Sequence, residues 1–303
     1  MTTGRRPDVG IVGLGIMGSA MAGNLLAHGP VVGTDIDPER RQAFAAAGGA
    51  VLGSAAEVAR AAEVVITSLP TAAALHEVAA ALAAAGRPGL IVVETSTLAL
   101  GDKETARRLA EAGGVILLDC PLSGTGAQAL ERELVVLGSG DEDAFEAARD
   151  LLEEVARTVR HLGPFGHGTT MKLVANLLVS VHNAAAAEAF VLGVRAGLDP
   201  YRLYETVRLG AGGSVVFDRR GPLMAERRYL PATARVSMFV KDVGLIQELA
   251  RSVDLETPVL DATLPLYRRA MAAGYADADG AALREVLEDL QDTDTLDQDG
   301  TRS

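Results

Sequence analysis

Residues 9–18 read Val9-Gly10-Ile11-Val12-Gly13-Leu14-Gly15-Ile16-Met17-Gly18: a short apolar run that breaks into glycines spaced G-x-G-x-x-G. From 16 to 28 the spacing turns helical and stops at Gly29-Pro30. A second apolar run over 31–35 ends on Asp35, 22 positions after Gly13. The glycine pattern alone is weak in a chain with 33 glycines, where a tight strand-to-helix turn would satisfy it. The context makes it a dinucleotide-binding fingerprint: a strand before, a helix after, a βαβ unit around it and an acidic residue at the end of the second strand. Gly13 permits the tight turn, Gly15 lets backbone N–H groups approach a pyrophosphate, and Gly18 lets the helix pack close to the strand. Leu14, Ile16 and Met17 complete the loop, and the helix N-terminus brings partial positive charge to the phosphates. Asp35 can accept both ribose hydroxyls and would repel a 2′-phosphate, and the next residue, Ile36, offers no cation. The loop therefore predicts NAD over NADP, a preference tempered by Arg40 and Arg41 nearby in sequence.

Outward from this loop, apolar runs at 64–67, 90–93 and 115–118 alternate with helical spacing, and further strands are predicted at 134–137 and 158–162. Continuous Val/Ile/Leu runs between helices mark a parallel sheet covered on both faces. After Gly168 the remaining chain reads as helices at about 168–196, 199–210, 213–227, 239–252, 257–273 and 280–290. The predicted fold class is α/β: a Rossmann-type doubly wound sheet, then an all-α C-terminal domain, joined by a long interdomain helix. The expected domains are a dinucleotide-binding domain over 1–165, a helical substrate and oligomerisation domain over 166–292, and an acidic tail over 293–303. No internal repeat is visible.

The 303 residues are 49% hydrophobic and 22% charged, which describes a globular chain able to bury a core. Against 40 acidic residues stand 28 basic ones, a net charge of −12 that disfavours nucleic acid and anionic membrane surfaces as partners. Two segments imitate membrane signals. Arg5-Arg6 before an apolar stretch looks like an export signal, but Asp8 intervenes and glycines at 10, 13, 15 and 18 weaken a hydrophobic helix. Residues 173–193 are long enough to span a bilayer but carry Asn176, His182, Asn183 and Glu188, which fits a helix buried between protein surfaces better. The expected location is the cytoplasm. A single cysteine, Cys120, excludes an internal disulfide framework and a cysteine-based zinc site. The five histidines form no metal constellation, so no metal is expected.

Six stretches, taken in order, make a more specific pattern. Residues 13–25 closely resemble the opening of the β-hydroxyacid dehydrogenase family, typified by 3-hydroxyisobutyrate dehydrogenase. Leu69-Pro70 and Thr97, each following a strand, resemble family cofactor contacts. Residues 119–127, Asp-Cys-Pro-Leu-Ser-Gly-Thr-Gly-Ala, resemble the substrate-binding stretch. Residues 163–176 resemble the catalytic stretch, a glycine-rich lead into a helix bearing Lys172 and Asn176. Lys241-Asp242 resembles the late Lys-Asp pair on the nicotinamide side. The resemblance covers about residues 8–290 and implies that Lys172 is the acid/base on the substrate hydroxyl. Asn176 would then hold substrate or orient the lysine, and Ser123, Gly124 and Thr125 would hold a carboxylate. Lys241 would contact cofactor or substrate, while Ser214 and Phe217 would line the distal end of the substrate. Lys172 and Asn176 are four apart, hence on one side of a helix, and burial in a cleft can lower a lysine from its free pKa of about 10.4.

Three positions depart from the family pattern. Thr125 stands where glycine is usual, Ala175 where a second Asn is common, and Val215 where an aromatic is frequent. The expected activity is hydride transfer between NAD and a small 3-hydroxy acid or its semialdehyde. The alternatives are an NADPH-dependent imine reductase of the same superfamily, opposed by Lys172 and Asp35-Ile36, and a catalytically silent dinucleotide-binding module. The resemblance implies a homodimer or homotetramer.

Overall fold

The computed structural model describes residues 6–85 and 87–290. The tail expected over 293–303 lies outside the described residues. Six short strands form the main sheet: β1 (Val9–Val12), β2 (Val31–Thr34), β3 (Ala50–Val51), β4 (Val64–Thr67), β5 (Ile91–Glu94) and β6 (Ile116–Asp119). Their order is β3-β2-β1-β4-β5-β6 and every pairing is parallel. Apolar side chains fill both faces, because each strand is crossed by helices on either side. Ile11, Ile66, Val93 and Leu118 belong to one buried cluster, while Val12, Val65, Val92 and Leu117 belong to the other. The chain leaves β1 toward β2 on one side and returns to β4 on the other. Ligands of such sheets bind at this reversal, outside the carboxyl ends of the strands.

A second sheet follows, which the sequence reading did not separate from the first. It joins β7 (Leu122–Ser123), β8 (Val135–Gly138) and β9 (Thr158–His161) in the order β7-β8-β9. The β7–β8 pairing is antiparallel and β8–β9 is parallel across the helix Glu142–Val155. That helix is capped by the Asp141 carboxylate on the Ala144 N–H and buries Phe145, Ala148, Leu152 and Val155 on one face. A single bridge, Asp119 to Ser139, ties this sheet to the end of β6. Both β3 and β7 are two residues long, too short for an alternation pattern to announce them.

The chain divides into two compact units, one ending at Lys172 and the other starting at Leu173. The division falls inside the helix His167–Arg195. That helix is long and apolar enough to cross a membrane by length and composition. In the second unit, however, its Ala187 and Phe190 join a buried cluster, and the wholly buried Asn183 amide donates to the Tyr267 hydroxyl oxygen at 3.1 Å and the Gly280 carbonyl at 2.9 Å.

The rest of the second unit is helical: Pro200–Val207, Val215–Glu226, Val236–Ser252, Pro258–Asp261, Leu264–Ala272, a 3-10 turn at Gly280–Ala282 and helical residues 283–290. The single helix expected over 257–273 is therefore broken in two. The physical reason is Pro265, which has no N–H to continue the ladder and sits in the first turn of the second piece. Asp279 organises this unit. Its carboxylate accepts from Arg220 Nε at 3.1 Å, the Thr233 hydroxyl at 2.6 Å and the N–H groups of Thr233, Ala234 and Ala281.

Candidate active site

The glycine loop fits the pyrophosphate of a dinucleotide on three observations. Gly13 has φ +93°, and a Cβ there would lie 2.2 Å from the Ser68 carbonyl oxygen. A Cβ on Gly18 would lie 1.9 Å from the Gly13 carbonyl oxygen, so only glycine lets the helix close on the loop. A Cβ on Gly15 would meet only Arg40 Nη1, at 3.7 Å, leaving an open backbone face. The helix Ile16–Leu26 begins at Gly15 with no side-chain cap and no acidic residue in its first turn. No capping or first-turn carboxylate of the helix itself thus offsets its N-terminal partial charge, which favours an anion.

Asp35 directly follows β2, as expected, and makes bonds that sequence reasoning missed. Its carboxylate accepts the Leu14 N–H at 2.6 Å and the Asp37 N–H at 2.8 Å, so it also pins the glycine loop. Arg40 Nη1 lies 3.5 Å from Asp35 Oδ2, and Arg41 donates to the Asp35 carbonyl at 2.8 Å. A carboxylate has about four acceptor positions, so the two backbone bonds leave room for ribose hydroxyls. Ile36 is 97% exposed and brings no charge.

The ends of β4 and β5 are tied together beside this loop. Ser96 Oγ accepts the Leu69 N–H at 2.8 Å, and the Thr95 hydroxyl donates to the Thr67 carbonyl at 2.7 Å. Pro70 is exposed and Thr97 half-buried.

Under the end of β6 lies a buried ionic cluster. Lys103 Nζ sits 2.7 Å from Asp119 Oδ1 and 2.7 Å from Glu94 Oε2, with all three side chains fully buried. Burial alone would push the Lys103 ammonium down; the charges of Glu94 and Asp119 and their hydrogen bonds outweigh it and raise it. Sequence reasoning missed Lys103 because a lysine on a charged helix reads as solvent-facing. The available signal was its spacing with Ala106 and Ala110, which marks the buried face of helix Leu100–Glu111. Cys120, next to Asp119, is also buried, and burial together with the Asp119 charge pushes its thiol up.

Ser123 is half-buried at the end of β7. Gly124 has φ +142°, and a Cβ there would lie 2.5 Å from Leu134 Cδ2. Thr125 caps the helix Gly126–Leu130 in a reciprocal capping box with Gln128. Lys172 is half-buried near the start of the helix His167–Arg195, and Asn176 lies one turn further along the same helix. The Asn176 amide donates to Asp242 Oδ2 at 2.9 Å, and Lys241 Nζ lies 3.4 Å from Asp242 Oδ1. Because a carboxylate only accepts, this bond sets the Asn176 flip and leaves its carbonyl oxygen for another donor. Asp242 was noted in the sequence only as half of a Lys-Asp pair. Ser214 Oγ accepts the Phe217 N–H at 3.0 Å as an N-cap, and Phe217 stacks in the second unit's core between Phe190 and Tyr204. These are structural bonds that the sequence reading did not assign to Thr125, Ser214 and Phe217.

Residues 8–163 match the family described as the NAD binding domain of 6-phosphogluconate dehydrogenase. Residues 166–287 match the NAD-binding domain of NADP-dependent 3-hydroxyisobutyrate dehydrogenase. An L-threonate dehydrogenase of Cupriavidus necator is 37% identical over 290 residues, covering 94% of this chain and 97% of its own. An NAD-dependent L-serine dehydrogenase of Pseudomonas aeruginosa is 33% identical, covering 94% of this chain and 99% of its own. Among solved structures, the 3-hydroxyisobutyrate dehydrogenase of Mycobacterium tuberculosis with L-serine superposes with a TM-score of 0.87 at 30% identity, over 93% of this chain and 99% of that one. An imine reductase of Pseudomonas sp. shares only the fold, at 23% identity and a TM-score of 0.64. With both halves of the sequence matched and relatives aligned over nearly their whole length, the chain belongs to the β-hydroxyacid dehydrogenase family, as an oxidoreductase of the 3-hydroxyisobutyrate dehydrogenase type.

Proposed function

We propose that the protein interconverts a small 3-hydroxy acid and its semialdehyde with NAD, using Lys172 as the acid/base. The observation that carries this reading is the joint presence of a nucleotide loop read by an acidic Asp35-Ile36 and a half-buried Lys172 one helical turn before Asn176. NAD, when bound, supplies the acceptor or donor of hydride. The backbone at Gly13–Gly18, with Leu14, Ile16 and Met17, holds the pyrophosphate, Asp35 the adenosine ribose, and Leu69, Pro70 and Thr97 the strand-end side of the cofactor. The choice of NAD over NADP follows from Asp35, whose charge repels a 2′-phosphate.

Lys172 takes the hydroxyl proton in oxidation and returns it in reduction. Asn176, fixed by Asp242, offers its carbonyl oxygen as an acceptor to orient the lysine or the substrate. Ser123, Gly124 and Thr125 hold the substrate carboxylate with a hydroxyl and backbone N–H groups, and Lys241 adds a cation. Ser214 and Phe217 shape the far end of the substrate, Phe217 through the packing of its helix. The described residues up to 165 are assigned to cofactor binding and those from 166 to 290 to substrate and subunit packing. Exposed Val174, Leu178 and Leu192 on the long helix support assembly into a homodimer or homotetramer. The buried single cysteine supports a cytoplasmic location.

The test follows reduced-nicotinamide absorbance with NAD and NADP against 3-hydroxyisobutyrate, L-threonate, L-serine and related hydroxy acids. Lys172→Ala should lower turnover by about 10²- to 10⁴-fold, the contribution of a positioned acid–base group. A loss below tenfold would contradict the assigned role.

A further inference from the structure

We infer that Lys103 is a positioning residue for the proposed reaction, a buried cation that holds the substrate turn at 121–125 and the first turn of the Lys172 helix in one register. The inference rests on the reading of Lys172 and Ser123 given above. Each link is a hydrogen bond or ion pair inside the first unit. Lys103 Nζ lies 2.7 Å from Asp119 Oδ1. The same Asp119 oxygen accepts the Thr169 hydroxyl at 2.7 Å, while Oδ2 accepts the Thr169 N–H at 2.8 Å and the Ser139 hydroxyl at 3.2 Å. Ser139 Oγ in turn accepts the Gly168 N–H at 2.9 Å. A Cβ on Gly168 would lie 2.2 Å from the Leu137 carbonyl oxygen, so the helix start presses directly on the sheet end. Asp119 thus caps the helix at Thr169, three residues before Lys172, and itself lies four residues before Ser123. On its other side Lys103 meets Glu94 Oε2 at 2.7 Å, Glu94 Oε1 accepts the Ser96 N–H at 2.9 Å, and Ser96 Oγ holds the Leu69 N–H.

One ammonium therefore joins the ends of β4, β5 and β6 to the start of the helix His167–Arg195. Stability gives a poor reason for it. Buried ion pairs lose in desolvation much of what they gain in attraction, and well-packed apolar replacements are often as stable. Directional bonds from a single buried charge do what apolar packing cannot: they forbid the strand ends and the helix from sliding past one another. Lys103 cannot itself exchange protons with substrate, since it is wholly buried behind these carboxylates.

The test uses the full-length enzyme with Lys103→Met, assayed well below its melting temperature, beside wild type, Lys172→Ala, Thr169→Val and Thr169→Ser. In Lys103→Met, amide hydrogen exchange should quicken at 121–125 and 167–172 while other buried segments keep wild-type protection. Turnover should fall roughly ten- to hundredfold, since about 1 Å of misplacement at a reacting group costs about 10²-fold. Thr169→Val, which removes only the helix-side hydroxyl bond, should lower kcat with little change in KM, and Thr169→Ser should restore it. Wild-type exchange at both segments together with wild-type kcat in Lys103→Met would overturn the inference. If that variant does not fold, wild-type kcat in Thr169→Val overturns it. If the wild-type enzyme itself turns over no hydroxy acid, the proposed function fails separately, and the exchange pattern alone decides the role of Lys103.

Discussion

Replacing Asp35 with asparagine separates the loop-pinning bonds it makes from the ribose contact proposed for it, and the size of each effect can be worked out. The carboxylate accepts Leu14 N–H at 2.6 Å and Asp37 N–H at 2.8 Å on different oxygens, and its side chain is 5% exposed. Asparagine keeps one oxygen and turns an NH2 group toward the other donor. One charge-assisted bond is lost, and a buried N–H is left facing another donor, at a cost of about 1.5–3 kcal/mol. At roughly 2–4 °C per kcal/mol for a unit of this size, the melting temperature should fall by about 3–12 °C. The cofactor effect is separate. Losing the acceptor for the ribose hydroxyls should weaken NAD by a similar energy, about ten- to hundredfold in Kd.

NADP should move the other way relative to NAD. The repulsion of its 2′-phosphate disappears, and Arg40, whose Nη1 sits 3.5 Å from the Asp35 carboxylate, loses that partner. The ratio of kcat/KM for NADP over NAD should rise at least tenfold, which corresponds to about 1.4 kcal/mol. Arg40→Ala in the Asp35→Asn background should remove most of that gain. Calorimetric Kd values for both nucleotides, kcat/KM ratios and thermal melts make the comparison. An unchanged nucleotide ratio in Asp35→Asn would refute the ribose assignment, and an unchanged melting temperature would refute the loop-pinning role.

Two further outcomes follow from buried groups away from the nucleotide. Cys120 is fully buried, with its thiol pushed up by burial and by Asp119, so a thiol-specific chromogenic reagent should find no reactive group in the native protein and one after denaturation; native labelling at the denatured rate would contradict this placement. Asp279 is held low: burial would raise it, but Arg220, the Thr233 hydroxyl and the Ala281 and Ala234 N–H groups outweigh burial. A carboxylate depressed in the folded state stabilises it fully above the unfolded value of about 3.9, and that contribution is lost as pH falls through the lower folded value. Asp279→Ala should therefore cost about 3–5 kcal/mol at neutral pH, because it strands the buried Arg220, and its melts should lose less on acidification than those of wild type. Equal acid sensitivity in the two proteins would contradict this assignment.

The parts of this protein legible in its sequence are those governed by local sterics. Gly13 must adopt φ +93° and Gly18 must lie against the Gly13 carbonyl, constraints that act within six residues and leave a readable spacing. Runs such as Val64–Thr67 announce a strand buried on both faces because nothing else tolerates them so densely. Where a strand is only two residues long, as in β3 and β7, the pairing comes from the neighbouring strand and leaves no mark on composition. The same holds for chemistry. Lys172 stands out because a glycine-rich lead and Asn176 surround it, whereas Lys103 gains its role from Glu94, nine residues before it, and from Asp119, sixteen after it.

The contrast between the two lysines carries the mechanism a step further. Lys103 is fully enclosed, and its two carboxylate partners push its ammonium up against the effect of burial, so it is out of reach of a substrate proton. What it can do is hold the Asp119 carboxylate aimed at the Thr169 N–H and hydroxyl. Lys172, one turn beyond Thr169 on the same helix, is half-buried and thus reachable. A proton-transfer group must be reachable and a positioning charge need not be, and the roles proposed for the two lysines match that difference: Lys172 half-buried on the helix whose start Asp119 caps, Lys103 enclosed behind the cap.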